Sequence, residues 1–333
     1  MSETHIRLAH GNGGRFMREL IASVFARHLA GIGPDITLDA SPFHLPDGIP
    51  MTSVDGFIVQ PLEFPGGDIG TLAVNGTVND LAVSGALPQY LTLSVILEEG
   101  LEIAQLDRVV ASLAAAAQRA GVKVLAGDTK VVPRGHGGGI YFATTGLGVR
   151  PRELRLGLDL IRRGDVVLAS GPIGDHGIAV LLARQEFDLR GAIRSDCAPV
   201  VALAQAAIAH GVRFMRDPTR GGLASVAAEI CSATGLGVRL EEDRVPVRDE
   251  VRGVCDMLGY APYYLACEGR IIAVAPETAA AALLAAWRDI VAGEAAAVIG
   301  TITAPPARVV LATSAGGERI VGELEEEPLP RIC

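Results

Sequence analysis

The stretch FPGGDIGTLAVNGTVNDLAVSGALP, residues 64–88, constrains the fold more than any other part of the chain. It reads as a helix with Asp68 as its N-cap, continuing through an internal Gly76. The helix is otherwise apolar; its one charged residue is Asp80, beside Asn79. A helix apolar nearly all round belongs in an interior. Asp80 is then a carboxylate taken out of water, and such a group needs a partner. The fold has to cover this helix and answer that carboxylate.

The flanking segments supply the elements. GRFMRELIASVFARHLA, residues 14–30, puts Phe16, Leu20, Ile21, Val24 and Phe25 on one helical face. A strand is expected from Val54 to Val59, another at YLTLSVIL, then an Ala-rich helix ended by Gly121. VKVLAGDTKVV and GIYFATTGLGV read as strands that close the first half near residue 150. The second half opens with GDVVLASGPIGDHG, a strand running into a Gly-rich turn, and helices follow around 177–186 and 196–209. RDPTRGGLASVAAEICSATG is a polar turn and a helix ended by Gly235. GVRLEE, RIIAVA and the pair in AVIGTITAPPARVVLAT read as strands, VRDEVRGVCDML and ETAAAALLAAWRDI as helices. Strands and helices mix without strict βαβ alternation, which predicts an α/β chain of two α+β-type domains of similar size. The expected limits are 1–150 and 151–320, with 321–333 left as a mobile tail; a chain of 333 residues suffices for about two cored domains.

A net charge of −9 argues against a general nucleic-acid or membrane footprint, despite the local cluster Arg150, Arg152 and Arg155. The N-terminus has no basic-then-apolar leader, and no run reaches about 18 apolar residues, so a cytoplasmic protein is expected. Five cysteines form no CxxC pair, which argues for free thiols. Cys197, Cys231, Cys255 and Cys267 read as small core hydrophobes. Cys333 ends the chain, after EEEPLPRI, and is either a tethered thiol with a task or an idle tail.

Candidate chemistry falls into three groups. HGNGG, residues 10–14, places Gly13 and Gly14 ahead of a helix, where backbone N–H groups can close over an anion or simply form a turn. Asp55, Asp68, Asp80, Asp128 and Asp217 lie at strand ends, Gly-rich turns or, for Asp80, inside the apolar helix. Each alone is a cap or turn residue; together they point toward a metal–phosphate site, since Mg²⁺ takes hard oxygens and bridges carboxylates to phosphates. Lys130 and Arg220 could hold phosphate oxygens. Glu268, after the apolar YYLAC, could be desolvated enough to act as a base. Lys130 and Glu268 could equally be ordinary surface ion-pair residues. No Ser-His-Asp order, HExxH, zinc spacing, GxGxxG or GxxxxGK[ST] loop is present.

HGNGG, the 64–88 block, AGDTKVV, RDPTRGGLA, ACEG and the terminal PRIC closely resemble the hydrogenase-maturation carbamoyl dehydratases, the HypE family, in the superfamily of aminoimidazole ribonucleotide synthetase and selenophosphate synthetase. The resemblance covers essentially the whole chain. Asn12 stands where that family usually has Ser, and Gly56 follows Asp55 where Ser is usual. The resemblance implies a two-domain synthetase-like fold, a homodimer joined through an intersubunit β-barrel formed by the N-terminal domains, and ATP bound with Mg²⁺ at that interface. It implies that the carbamoyltransferase HypF loads a carbamoyl group onto Cys333, that ATP-dependent dehydration makes a thiocyanate, and that cyanide passes to a HypC–HypD scaffold for the iron of [NiFe]-hydrogenase. Asp55, Asp80 and Asp217 are the implied metal ligands; Asp68, Asn79, Asp128, Arg220, Gly13 and Gly14 join them around the nucleotide. Glu268 is the implied base and Lys130 an orienting or proton-relaying group. The two rival readings are a sister synthetase and a non-catalytic nucleotide-binding scaffold. The selenium synthetase keeps its reactive Cys or selenocysteine near the N-terminus, where this chain has none; a prenylated tail needs Cys fourth from the end, and here it is last.

The tail chemistry suits a carrier. A free thiol with pKa near ~8.5 is only a few per cent ionised at neutral pH. The terminal carboxylate and Glu325–Glu327 favour the thiol further, with Arg331 a partial offset. Extended from Val321, the tail spans roughly 40 Å, enough to leave one active site and enter another.

Overall fold

The structure is a computed structural model that describes residues 3–185, 191–324, 329 and 332. The chain divides into two compact units. One holds the chain up to Leu81, Ala86–Arg152 and, of the tail, Ile332; the other holds Ala82–Gly85 and Glu153–Pro330.

The first unit contains α1 (Arg15–Leu20), β1 (Ile49–Phe57), the short β2 (Glu63–Phe64) and β3 (Gly67–Asp68), α2 (Ile69–Val83), β4 (Leu87–Glu98), α3 (Ile103–Ala120), β5 (Lys123–Val132) and β6 (Ile140–Arg150). Its four-stranded sheet runs β1-β6-β4-β5. β1–β6 and β6–β4 are antiparallel, whereas β4–β5 is parallel. A parallel pair needs a long crossover, and α3 is that crossover. Its buried stripe, Leu106, Val109, Val110, Leu113, Ala116 and Ala117, has helical spacing, and Gly121 ends it in the left-handed conformation at φ 70°. α2 is buried on almost every side, with Ile69, Leu72, Ala73, Val78 and Ala82 each at 1% exposure or less.

The second unit contains β7 (Val166–Ala169), α4 (Asp175–Arg184), α5 (Val201–Ala209), β8 (Phe214–Arg216), α6 (Gly222–Thr234), β9 (Gly237–Glu241), α7 (Asp249–Leu258), β10 (Ile272–Ala275), α8 (Glu277–Arg288), β11 (Ala297–Thr303), β12 (Val309–Ala312) and β13 (Glu318–Val321). These strands form one sheet in the order β13-β12-β9-β11-β7-β10-β8, with β9–β12 its parallel pair. Alternate strand residues feed two cores. Val167, Ala169, Ile272 and Val274 pack with Leu223, Ala227 and Ile230 of α6. Val166, Leu168, Ala273 and Ala275 pack with Leu203 of α5 and Leu283 and Trp287 of α8. Coverage on both faces explains why VVLA and IAVA are unbroken apolar runs instead of alternating ones. Trp287 is fully buried and donates its indole N–H to the Leu203 carbonyl at 2.9 Å.

Several boundaries differ from the sequence reading. The helix expected over 14–30 is α1 followed by a wider π-helical segment, Ile21–Ala26. β1 begins at Ile49, five residues before Val54, and ends at Phe57 instead of Val59. Pro50 is tolerated there because β1 is an edge strand. β13 occupies Glu318–Val321, where no strand is apparent in the sequence. Three of its four residues are exposed, and backbone pairing to β12 carries it. Cys231, Cys255 and Cys267 are buried as expected of core thiols, whereas Cys197 is only half-buried. No helix among the described residues is long and apolar enough to cross a membrane.

Candidate functional site

In the first unit the acidic residues gather where β1 packs on α2. The β1 residues 53, 55 and 57 are the less exposed of each neighbouring pair on that strand. Ser53 donates its hydroxyl to Asp80 at 2.5 Å. One helical turn away on α2, Gly76 faces Phe57 and Asp55: a Cβ at Gly76 would lie 2.7 Å from the Phe57 ring and 3.6 Å from Asp55 Oδ2. The internal glycine is therefore what lets strand and helix approach. It also brings the Asp55 carboxylate, anchored by the Gly56 N–H at 2.8 Å, to the same strip of α2 that carries Asp80. Asn75 and Asn79 are buried on this helix at 0% and 1% exposure.

Asp68 does different work. Its Oδ1 accepts the Thr71 N–H at 2.8 Å, the Thr71 hydroxyl bonds back to the Asp68 backbone, and its Oδ2 accepts from the Ser112 hydroxyl of α3. Burial pushes its carboxyl above the ordinary value, opposed by these hydrogen bonds, of which Ser112 contributes most. Asp68 thus caps α2, as its place in the sequence predicts, and ties the cap to α3.

Asp128 and Lys130 lie on the other face of the sheet. The register pairs Asp55 with Thr144 and Thr144 with Leu93, a line of residues on the α2 side. Ser94 and Ile96 pair with Asp128 and Lys130, one residue out of phase and therefore on the opposite face. Lys130 Nζ binds Asp128 at 2.7 Å, and both side chains are more than half exposed. The HGNGG turn sits on this same strand: a Cβ at Gly11 would lie 2.7 Å from the Val131 backbone nitrogen. Gly13 takes a positive φ of 79°, with its N–H 3.2 Å from Met17 Sδ, while the Gly14 N–H is met by Asn12 Oδ1 at 3.3 Å. A cavity of about 320 Å³ lies between Ile21, Phe25 and Leu29 on one side and Leu93, Val95 and Thr129 on the other, with Asp128 also in its wall.

In the second unit, two loops converge. RDPTRGG carries Asp217, 6% exposed, and YYLACEG carries Glu268, 2% exposed. They are joined by the Cys267 N–H donating to the Pro218 carbonyl at 2.9 Å. Gly222, at φ 57°, lets the start of α6 press on the second loop; a Cβ there would sit 2.6 Å from the Leu265 carbonyl and 2.7 Å from that of Tyr263. Arg220 is exposed on the first loop. Glu268 is no surface ion-pair residue, whereas Lys130 is one half of such a pair. Sequence reasoning missed the charges packed around these loops: the buried Asp175 at the start of α4, Asp196 and Arg270, and the exposed Arg248 that pairs with Asp175. Burial pushes the Asp175 carboxyl up, opposed by the Arg248 guanidinium at 2.9 Å. The available signals were the Asp in GPIGDHG and the Arg in ACEGR, both charged residues inside Gly-rich apolar runs.

Cys333 lies outside the described residues, as do Glu325–Glu327, Pro328, Pro330 and Arg331. Of the tail, Leu329 and Ile332 are described, and both are buried, at 4% and 2% exposure. Among the described residues no group of three or more His, Cys, Asp or Glu is close enough to hold a metal by itself. Asp55 and Asp80 nevertheless fit Mg²⁺, which is held by one or two carboxylates and completes its shell with substrate phosphates and water.

The two units are each recognisable. Residues 39–150 match the N-terminal domain of the AIR synthase related proteins, and residues 162–312 match the C-terminal domain of that class. The four-stranded sheet with its buried helix and the seven-stranded sheet are thus the two halves of this synthetase-like architecture. Within that class, the chain belongs to the HypE family of carbamoyl dehydratases. It is 46% identical to carbamoyl dehydratase HypE of Azotobacter vinelandii, over 98% of this chain and 97% of that protein. A crystal structure of hydrogenase maturation protein HypE in complex with ATP superposes with a TM-score of 0.93 at 42% identity, covering 98% of this chain and 99% of the other. The chain in a HypE–HypF complex superposes with a TM-score of 0.80 at 38% identity, over 93% and 100% of the two chains.

Proposed function

We propose that this protein uses ATP to dehydrate a carbamoyl group carried on Cys333, producing a thiocyanate that supplies the cyanide ligand of a [NiFe]-hydrogenase. A HypF-type carbamoyltransferase loads the thiol, and a HypC–HypD-type scaffold accepts the cyanide. The observation that carries the reading is the acidic pair Asp55 and Asp80, held in the α2–β1 contact behind Gly76. A half-buried carboxylate pair of this kind is suited to a divalent cation and polyphosphate.

The chemistry sets three requirements. The carbamoyl oxygen is a poor leaving group until phosphorylated; it then departs as inorganic phosphate while the C–N bond becomes a nitrile. Both amide protons must be removed. Overall, S-carbamoyl and ATP give S-cyano, ADP and phosphate. Asp55 and Asp80 would hold Mg²⁺, which would neutralise charge on the transferring phosphoryl group; Asp217, in the second unit, is the remaining candidate ligand. Asn79, Asp128, Arg220 and the Gly13–Gly14 turn are assigned to the nucleotide, and Asp68 serves it by fixing the start of α2. Glu268 removes an amide proton, and Lys130 orients the oxygen or relays a proton.

Lys130 and the Asp55–Asp80 pair occupy opposite faces of one sheet, so one copy of that sheet does not bring them together. The face bearing Lys130 also exposes Val54 at 72% and Ile96 at 37%. A second copy laid on this open face closes the two sheets into a barrel and covers those side chains, and this supports a homodimer with nucleotide at the shared boundary.

The test is intact-mass analysis after incubation with a HypF-type enzyme, carbamoyl phosphate and ATP. The wild-type chain is expected to gain one carbamoyl group and then lose one water. Cys333→Ala is expected to gain nothing while still binding ATP. A carbamoyl gain in Cys333→Ala overturns the terminal-carrier reading.

A further inference from the structure

Glu268 is held by a second loop segment whose side chain and backbone both engage it. Asp196 Oδ1 accepts the backbone N–H of Glu268 at 3.1 Å. Two residues further on, the Ala198 N–H reaches back to the Glu268 carbonyl at 3.4 Å. Between them the chains touch so closely that a Cβ at Gly269 would lie 1.9 Å from the Asp196 carbonyl oxygen. Only glycine fits there, and it sits next to Glu268.

Asp196 is itself fixed by charge. Its side chain is fully buried, and its Oδ2 faces Arg270 Nε at 3.3 Å. Arg270, 10% exposed in its side chain, spans three further anchors: the Pro172 carbonyl at 3.1 Å, the Ala292 carbonyl at 2.9 Å and Asp175 at 3.8 Å. A buried carboxylate and guanidinium are costly to assemble and costly to break. One bond of this pair reaches the Glu268 N–H directly, and the others run to the carbonyls of Pro172 and Ala292, which fix Arg270 and through it Asp196. Ordinary packing of a loop needs no such network, whereas holding one side chain to a fraction of an ångström does.

We infer that Asp196, clamped by Arg270, is a positioning residue for the dehydration step: it fixes the Glu268 backbone and thereby aims the Glu268 carboxylate at the tail-borne substrate. The inference rests on Glu268 acting as the base. Asp196 itself touches neither substrate nor nucleotide.

The experiment is a single-turnover assay on protein already carbamoylated at Cys333, reading water loss by mass, for the wild type, Glu268→Gln, Asp196→Ala and the double variant. Glu268→Gln is expected to be slower by about 10²–10⁴-fold, the range for a positioned base. Asp196→Ala is expected to be slower by about 10–100-fold, the scale of a misplaced catalytic group, with ATP affinity unchanged. Asp196→Asn keeps an acceptor for the Glu268 N–H and is expected to recover most of that loss. In the Glu268→Gln background, Asp196→Ala is expected to change the rate by less than about 2-fold, because residues acting through one group are not additive. An undiminished Asp196→Ala effect in that background overturns the inference, since Asp196 then acts elsewhere. A normal rate in Asp196→Ala beside a slow Glu268→Gln also overturns it, and leaves the base reading standing. A normal rate in Glu268→Gln removes the base reading and the inference with it. Should Asp196→Ala fail to fold, Asp196→Leu, which also lacks an acceptor for the Glu268 N–H but fills the space, decides in the same four-way comparison by the same criteria.

Discussion

Replacing Asp68 separates a structural carboxylate from a ligand-holding one. The Ala variant removes the cap on α2, worth about 0.5–2 kcal/mol, and the hydrogen bond from Ser112, worth about 0.5–1.5 kcal/mol net. Against this stands the relief of no longer ionising a carboxyl that burial disfavours. The net loss near neutral pH is expected to be about 1–2 kcal/mol, or roughly 2–8 °C in Tm for a unit of this size. Asp68→Asn should behave differently. Its Oδ1 still accepts the Thr71 N–H, and its amide can donate to the Ser112 hydroxyl, with no charge to bury. Because the folded-state pKa of Asp68 is raised above 3.8, its stabilising contribution is complete below that value and is lost as pH rises through the folded pKa. The Asn variant does not titrate, so relative to the wild type it should gain stability between about pH 4 and pH 7.5. Urea denaturation at those two pH values, followed by circular dichroism, measures the difference, and calorimetry with Mg-ATP should show affinity within about 2-fold of wild type. A relative loss of stability for Asp68→Asn as pH rises would refute the reasoning, because it would mean that a cation, not a helix N-terminus, answers this carboxylate.

Two further substitutions probe the units separately. Asp80→Asn keeps an acceptor for the Ser53 hydroxyl but removes the charge; calorimetry should show Mg-ATP affinity weaker by about 1.5–3 kcal/mol, the scale of a lost charged partner, and unchanged affinity removes Asp80 from the site. Gly222→Ala places a methyl group against two backbone carbonyls at a positive φ; it should cost about 2–5 kcal/mol and, by displacing Leu265, also slow dehydration at Glu268. Wild-type stability in Gly222→Ala would show that the loop can retreat.

Much of this was legible in the chain because local and global signals agree. Gly121 and Gly235 end helices where left-handed caps occur, and Asp68 caps α2 because a short acceptor stands before a helical run. The 2-period and 3.6-period patterns failed where tertiary context decides. β1 starts early because an edge strand tolerates Pro50, and β8 and β13 are too short and too dependent on their neighbours to announce themselves. For the site, the motif residues were visible, but not their grouping. That Asp55 shares a strip of α2 with Asp80 depends on Gly76 and on strand register, and that Lys130 takes the other face depends on a single-residue phase difference. Asp196 carries no motif at all. It matters because the fold brings it against a residue 72 positions away in sequence.

The chain has one tryptophan, and the fold has put it wholly inside the second sheet's core. Intrinsic emission excited at the indole band therefore reports solvent reaching the α5–α8 packing, a cluster to which Ala82 and Val83 at the end of α2 also belong. A melt followed by fluorescence should respond less to Asp68→Ala, which acts at the far end of α2, than to Gly222→Ala, while far-ultraviolet dichroism sees both. Two optical signals on one sample thus separate loss of the Trp287 packing from loss of secondary structure without a label.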